Sequence, residues 1–191
     1  MMDKAVLRRE MRARRQDAGE PELDFASQEI KENLQTWLGQ SNCCLQRVAI
    51  FLAQPREPNL DEFARVLQSR GISVFAPQLN RSDKPFMEIA PDWSNIEVNA
   101  RGWREPLEYS DGRFYSACKM NLIFLPGLAF AESGARLGQG GGWYDRVLEN
   151  LPSEVLRAGV CFDSQVVDFI PREAHDQDVS IIFTDKRIIH V

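Results

Sequence analysis

Four glycines fall within five positions of this 191-residue chain, and they are its strongest chemical signal. They are Gly138, Gly140, Gly141 and Gly142, out of twelve glycines in all. Because glycine adopts positive φ, such a run can turn backbone N–H groups inward, and a cradle of this kind at a helix N-terminus favours phosphate. A plain flexible turn is the competing interpretation.

Charged side chains beside the glycines favour a phosphate. Arg136 precedes them and has a guanidinium fork that suits phosphate oxygens. Asp145 lies in the first turn of a predicted helix, where it can hold Mg²⁺ beside phosphates or serve only as a dipole-stabilising acid. The cluster is not a dinucleotide fingerprint, because Trp143 occupies the place of the third glycine, and without a Gly-Lys pair it is not a P-loop.

The N-terminal segment supplies further positive charge. Residues 3–15 hold six basic and two acidic side chains, whereas the whole chain has a net charge of −5. An acidic chain is not expected to bind nucleic acid in general. The basic segment is therefore either a solvated helix face or an anion site.

Apolar patterns around these residues predict an α/β fold. Short apolar runs alternate with helical patterns, which is typical of parallel βαβ units. We expect one domain over residues 1–191: three layers, with a mostly parallel central sheet flanked by helices, and an N-terminal helical segment. The weakest pattern spans 77–119, where only 86–90 resembles a strand. Predicted helices cover 4–18, 21–38, 60–70 and 143–150, and clear strands cover 47–53, 72–76, 121–125, 158–162 and 179–184.

Composition narrows the class of protein. Apolar residues make up 43% and charged residues 27%, which is ordinary for a globular chain. The apolar runs are far shorter than the ~20 residues of a membrane span, and no secretory leader is expected from the first fifteen residues. Four cysteines without CxxC spacing predict reduced thiols and a cytoplasmic location.

Five segments together resemble a known family. RLGQGGGWYDRVL, at 136–148, is similar to the RLGxGxGYYDxxL signature of 5-formyltetrahydrofolate cyclo-ligases, also called methenyltetrahydrofolate synthetases. The resemblance covers essentially the whole chain. The other matching segments are KAVLR at 4–8, FLAQPRE at 51–57, WREP at 103–106 and IPREAHDQDVSIIFTD at 170–185.

This resemblance implies an enzyme that couples ATP hydrolysis to closure of a folate ring, with Mg²⁺ as cofactor and ATP as co-substrate. Catalytic roles are implied for Arg136 and Tyr144, and metal binding for Asp145 and Asp176. Implied ATP-binding residues are Lys4, Arg8, Arg136, Gly138, Gln139, Gly140, Gly141, Gly142, Trp143 and Tyr144. Implied folate-binding residues are Arg8, Leu52, Glu57, Trp103, Gly140 and Tyr144.

Several of these residues have ordinary interpretations without the resemblance. Glu57 then reads as a surface acid in a proline-rich loop, and Asp176 as one of several neighbouring acids. Trp103 and Tyr144 either stack on the pterin ring or simply pack. The basic residues that match no family position stay with the solvated-face interpretation: Arg9, Arg12, Arg14 and Arg15.

The chain also departs from the family pattern. Gln139 and Gly141 stand where members often carry basic residues, Trp143 replaces a usual Tyr or Phe, and Ser180 replaces an Asp. The neutral loop predicts weaker nucleotide binding than in members with Lys at these positions, with Arg146 as a substitute cation.

Two other functions remain open at this point. One is a non-catalytic paralogue that binds a folate or nucleotide without turnover, and the other is a phosphosugar enzyme that uses the glycine loop. The leading expectation is the ligase, as a monomer that binds neither nucleic acid nor a membrane.

Overall fold

A computed structural model describes residues 3–41, 43–78, 85–107, 114–149 and 151–191. In these ranges the chain forms four α-helices and thirteen strands. The helices are α1 (Lys4–Asp17), α2 (Glu20–Gln40), α3 (Asp61–Ser69) and α4 (Trp143–Leu148). The strands are β1 (Arg47–Ala49), β2 (Ser73–Pro77), β3 (Phe86–Glu88), β4 (Ile96–Val98), β5 (Arg104–Pro106), β6 (Phe114–Tyr115), β7 (Leu122–Leu125), β8 (Ala129–Ala131), β9 (Arg136–Leu137), β10 (Leu156–Val160), β11 (Val166–Val167), β12 (Ile181–Phe183) and β13 (Ile188–His190).

Eight strands form the central sheet in the order β13-β12-β10-β7-β1-β2-β3-β6. The five inner strands, from β12 to β2, run parallel, and the strands outside them pair antiparallel. The predicted mostly parallel sheet is therefore confirmed.

Side chains alternate between the two faces of this sheet. Val48 packs in one cluster with Leu34 of α2 and Phe63 of α3. Its neighbour Ala49 points the other way, into a cluster that includes Phe130 of β8 and Leu148 of α4. Layers thus cover both faces, as the three-layer prediction requires.

A small three-stranded sheet, in the order β11-β8-β9, separates β7 from the glycine loop. The sequence predicted a plain loop here, because strands of two or three residues carry no visible periodicity. Leu7 and Met11 of α1 are buried against this small sheet. The N-terminal helix is therefore anchored next to the glycine loop.

Several predicted boundaries are wrong, and strand β10 spans Leu156–Val160 instead of 158–162. Helix α2 continues through Gly39 to Gln40 instead of stopping before the glycine. Strand β1 ends at Ala49, although residues 50–52 are still buried. Phe51 and Leu52 follow the strand and line a cleft. Along the described ranges, no helix combines the length and apolar character that a membrane crossing needs.

Candidate active site

A cleft of about 570 Å³ lies at the carboxyl ends of β1, β2 and β7. Strand β1 lies between β2 and β7 in the sheet, so the chain adds strands first on one edge of β1 and later on its other edge. Open α/β sheets bind ligands at such a switch in strand order. Every residue to which the resemblance gave a role lines this cleft: Lys4, Arg8, Leu52, Glu57, Trp103, Arg136, Gly138, Gln139, Gly140, Gly141, Gly142, Trp143, Tyr144, Asp145 and Asp176.

Helix α1 brings two cations to the glycine loop. Lys4 and Arg8 are one turn apart and so share a helix face. Arg8 Nε donates a hydrogen bond to the carbonyl oxygen of Gly138 at 3.1 Å. Arg8 Cζ also lies 3.7 Å from the point that a Cβ atom would occupy at Gly140. Residues at least 130 positions apart in sequence therefore meet in one place.

The glycine loop needs glycine at two of its positions. Gly140 has φ +105° and Gly142 has φ +62°, a region that other residues rarely adopt. Gly141 lacks this constraint, and a Cβ atom there would meet nothing within 4 Å. Because α4 has only six residues, its dipole is small, so an anion in the loop would depend on N–H groups and on the nearby cations.

Arg136 is held rigidly in the wall of the cleft. Its side chain is 3% exposed, and its Nη2 atom donates to Asp145 Oδ1 at 2.7 Å. Nη1 donates to the Pro126 carbonyl oxygen at 3.3 Å, and the guanidinium carbon lies 5.7 Å from the Tyr144 ring centroid. Arg136 thus links the predicted metal-binding acid to the predicted catalytic tyrosine.

Asp176 belongs to a cluster at the N-terminal end of α1. Lys4 Nζ donates to both of its carboxylate oxygens, at 2.8 and 2.6 Å. Burial alone would raise the pKa of Asp176, but the hydrogen bonds from Lys4 and from the Glu173 backbone N–H lower it overall. The carboxylate is therefore ionised at neutral pH.

Glu173, His175 and Asp176 place their ligand atoms within 4.8 Å of one another, and their carboxylate oxygens suit Mg²⁺. Asp145 is not part of this group, although it lines the same cleft. The sequence analysis assigned metal binding to Asp176 and not to Glu173 or His175, although both lie within three positions of it.

Glu57 is a buried acid, so its interpretation as a surface residue is wrong. The side chain is 7% exposed. Its Oε1 atom accepts from Arg15 Nη1 at 3.1 Å, and its Oε2 atom accepts from the Gln54 backbone N–H at 3.2 Å. Burial raises the pKa of Glu57 despite the opposing effects of Arg15 and of the Gln54 hydrogen bond.

The solvated-face interpretation is also wrong for Arg15. Its side chain is 11% exposed, and it contacts both Glu57 and the Gly127 carbonyl oxygen. Arg12 remains exposed but donates to the Gln139 carbonyl oxygen at 3.0 Å. The signal was available in the sequence, because Lys4, Arg8 and Arg15 recur at helical spacing.

Aromatic rings close the cleft beside Glu57. The Trp143 and Tyr144 ring centroids are 4.8 Å apart at 88°. Burial raises the pKa of Tyr144, the Glu57 carboxylate raises it further, and Arg136 opposes the change. The Tyr144 hydroxyl group is therefore neutral at physiological pH and can donate a hydrogen bond.

The segment with the weakest sequence pattern also contributes to the cleft. Trp103 lines it together with Arg101 and Arg104, two residues that the sequence analysis missed. Arg104 is paired with Asp61 at 2.7 Å, whereas the guanidinium carbon of Arg101 lies 5.6 Å from the Trp103 ring centroid.

Arg146, the predicted substitute cation, is exposed. Its side chain donates to the Gly141 carbonyl oxygen at 3.1 Å, so it contacts the backbone of the glycine loop.

The fold and the cleft define an α/β protein with a basic, glycine-rich site at the carboxyl edge of its sheet. The model of the 5-formyltetrahydrofolate cyclo-ligase family matches residues 1–185, and the chain belongs to this family of ligases. The family resemblance seen in the sequence is therefore confirmed.

Individual relatives carry the name of the same family. A 5-formyltetrahydrofolate cyclo-ligase from Mycolicibacterium smegmatis is 40% identical over 162 residues, 82% of each chain. One from Escherichia coli K12 is 29% identical over 146 residues, 74% of this chain and 79% of the relative. The NMR structure of Aquifex aeolicus 5,10-methenyltetrahydrofolate synthetase superposes with a TM-score of 0.81 at 26% identity, covering 99% of this chain and 93% of that one.

Proposed function

We propose that the protein converts 5-formyltetrahydrofolate to 5,10-methenyltetrahydrofolate in a reaction that uses ATP and Mg²⁺ and releases ADP and phosphate. One observation carries the proposal: the cations of α1, the glycine loop and the buried Glu57 carboxylate line the same cleft. A ligase that couples ATP cleavage to cyclisation of a folate needs both an anion site and a site for a hydrogen-bonding heterocycle, side by side.

The triphosphate binds between α1 and the glycine loop. Lys4 and Arg8 supply positive charge, and the backbone N–H groups of 138–142 supply donors. Asp145 and Asp176 would hold Mg²⁺, which when bound would neutralise phosphate charge during transfer. Both residues line the cleft, and carboxylate oxygens suit a hard cation.

The folate binds on the Glu57 side. Each oxygen of the Glu57 carboxylate receives one hydrogen bond from the protein, so each keeps acceptor capacity for the amino and ring N–H groups of a pterin. Leu52 supplies an apolar wall, and Trp103 and Tyr144 offer aromatic faces for the pterin ring.

The chemistry is a phosphorylation followed by a ring closure. The formyl oxygen attacks the γ-phosphorus of ATP, the bond to the β-phosphate oxygen breaks, and ADP leaves. N10 then attacks the activated formyl carbon, loses its proton, and the C–O bond breaks to release phosphate. Arg136 stabilises the charge on the transferred group, and the neutral Tyr144 hydroxyl group donates a hydrogen bond to the reacting oxygen.

The test is the appearance of methenyltetrahydrofolate absorbance when protein, ATP, Mg²⁺ and 5-formyltetrahydrofolate are mixed. We expect no signal when ATP is omitted or Mg²⁺ is chelated. A folded sample that binds 5-formyltetrahydrofolate but yields no product would instead indicate a non-catalytic paralogue.

Arg136→Ala tests the phosphate-stabilising role. Loss of one preorganised donor to a developing charge costs about 10²–10³-fold in kcat in comparable sites. Arg9→Ala is the matched control, because Arg9 is an exposed arginine on α1. Undiminished turnover in Arg136→Ala would show that this role is wrong.

We further propose a monomer in the cytoplasm that needs neither nucleic acid nor a membrane. All four cysteines are free thiols, as a reducing compartment would keep them. Light scattering on the purified protein tests the monomer, since a dimer would double the measured mass.

A further inference from the structure

Arg15 contacts Glu57 from the protein interior, on the side away from the cleft. It does not line the cleft, whereas its partner Glu57 does. The two side chains form an ion pair at 3.1 Å with exposures of 11% and 7%. The guanidinium group is therefore inside the protein, where a bound ligand would meet only the carboxylate.

The same guanidinium group joins two walls of the cleft. Nη1 donates to Glu57, in the loop after β1, and Nη2 donates to the Gly127 carbonyl oxygen, after β7, at 2.7 Å. Gly127 also lines the cleft, and its carbonyl oxygen accepts a second hydrogen bond from Gln165 at 3.0 Å. Arg15 thus fixes the position of Glu57 relative to a second, independently supported segment.

The loop that carries Glu57 is docked on α1 at a second point. Arg56 Nη1 donates to the carbonyl oxygens of Arg15, Gln16 and Ala18, at 3.0, 2.8 and 2.7 Å. These carbonyl groups lie at the C-terminal end of α1, where they have no partner within the helix. The end of α1 and the Glu57 loop therefore form one rigid unit.

We propose that Arg15 is a positioning residue for folate binding, which orients the Glu57 carboxylate into the cleft and keeps it ionised there. This inference rests on the proposed function, because it takes Glu57 as the acceptor for the pterin. The reason is electrostatic: a carboxylate taken out of water becomes protonated or turns away unless a cation or several donors hold it.

The groups that face Glu57 support this role. Arg15 approaches from α1, Tyr144 from α4, and the Gln54 backbone N–H from the loop of Glu57 itself. Arg136 faces Tyr144 and opposes the increase of its pKa. Burial already raises the pKa of Glu57, and Arg15 is the first of the opposing causes. Without Arg15, protonation of Glu57 would occur nearer to neutral pH.

The experiment compares Arg15→Gln, which removes the charge, with Arg15→Lys, which keeps it. We expect Arg15→Gln to raise KM for 5-formyltetrahydrofolate about tenfold, with little change in KM for ATP or in kcat, since a charge-assisted hydrogen bond is lost behind the folate site only. Arg15→Lys should recover most of the affinity. Arg14→Ala, an exposed neighbour on α1, is the matched control.

A pH profile separates positioning from mere structural support. KM for folate should rise at acidic pH, where Glu57 becomes protonated. In Arg15→Gln this rise should begin at a higher pH than in the wild type, because Glu57 binds its proton more readily. Arg15→Lys should keep the wild-type profile. An unchanged profile in a folded Arg15→Gln variant, or equal increases in both KM values, would overturn the proposal.

A double variant keeps the test valid if Arg15→Gln alone is unstable. Arg15→Gln in a Glu57→Gln background leaves no buried charge unpaired, and it should bind folate no more weakly than Glu57→Gln alone. If instead the double variant lost folate affinity by the product of the two single-variant losses, the positioning role would be overturned. Failure of the wild type to form methenyltetrahydrofolate would instead remove the proposed function itself, so the two failures are distinguishable.

Discussion

Gly140 and Gly141 are adjacent, but only Gly141 has room for a side chain without backbone strain. Gly140 has positive φ and lies against Arg8, whereas Gly141 has open space around it. We expect Gly141→Lys to lower KM for ATP about fivefold, because it adds a cation beside the phosphates, and the effect should weaken with added salt.

Gly141→Met controls for side-chain length without charge, and it should leave KM for ATP near the wild-type value. Titration with ATP at two salt concentrations measures the difference. Equal ATP affinity in Gly141→Lys and wild type would contradict the view that the neutral loop weakens nucleotide binding.

The sequence predicted which residues lie in the site better than it predicted which residues contact them. A rare glycine cluster and a basic helix start stand out in composition, and the family resemblance connects them to Glu57 and Asp176. The pairing of Arg15 with Glu57 depends on how α1 lies across the loop after β1, which no local pattern encodes. The helical spacing of Arg15 from Lys4 and Arg8 indicates a shared face of α1, but it does not identify Glu57 as the partner of Arg15.

Helix α1 serves both substrates at once in the proposed function. Lys4 and Arg8 lie on the nucleotide side, Arg15 supports the folate side, and Leu7 and Met11 anchor the helix on the small sheet. A loosened helix should affect both sites together, unlike Arg15→Gln, which should affect one.

Met11→Ala tests this coupling. Met11 is 2% exposed, and truncation of such a side chain leaves a cavity that typically costs about 2–5 kcal/mol. We expect a lower free energy of unfolding and higher KM values for both substrates. Met11→Leu conserves volume, and its cost should stay below about 1.5 kcal/mol. Denaturant titration and paired KM measurements check this, and an effect on one substrate alone would contradict it.

Elements that lie within a longer helical or apolar pattern were predictable, and strands without such a pattern were not. The helical stripe of α2 and the apolar runs of β2 and β7 are long enough to show their period. Strands β8, β9 and β11 have two or three residues each, so their pairing is decided by tertiary contacts. The strand order is likewise set by crossovers, although parallel strands with intervening helices already limited the choice.

At the scale of the whole molecule, the buried Glu57 carboxylate makes the stability of the fold depend on pH. In the folded chain the pKa of Glu57 is raised above its ordinary value of 4.5, because burial outweighs the effects of Arg15 and Gln54. The folded state therefore binds the proton more tightly than the unfolded state does. This contribution to stability is fully present below pH 4.5 and is lost as pH rises through the folded pKa.

Glu57→Gln cannot titrate, so the wild type should lose stability relative to this variant as pH rises from 4.5 toward neutrality. Glu62→Gln should behave in the opposite way. Hydrogen bonding to Lys31 lowers the pKa of the exposed Glu62, so the wild-type advantage over that variant should be present above 4.5 and disappear as pH falls through the lowered pKa. Urea midpoints of the three proteins across this range measure both trends, because an uncharged denaturant does not screen the pair of Lys31 and Glu62. A wild type that gains stability over Glu57→Gln with rising pH would mean that Arg15 more than compensates for burial, and that the carboxylate imposes no cost on the fold.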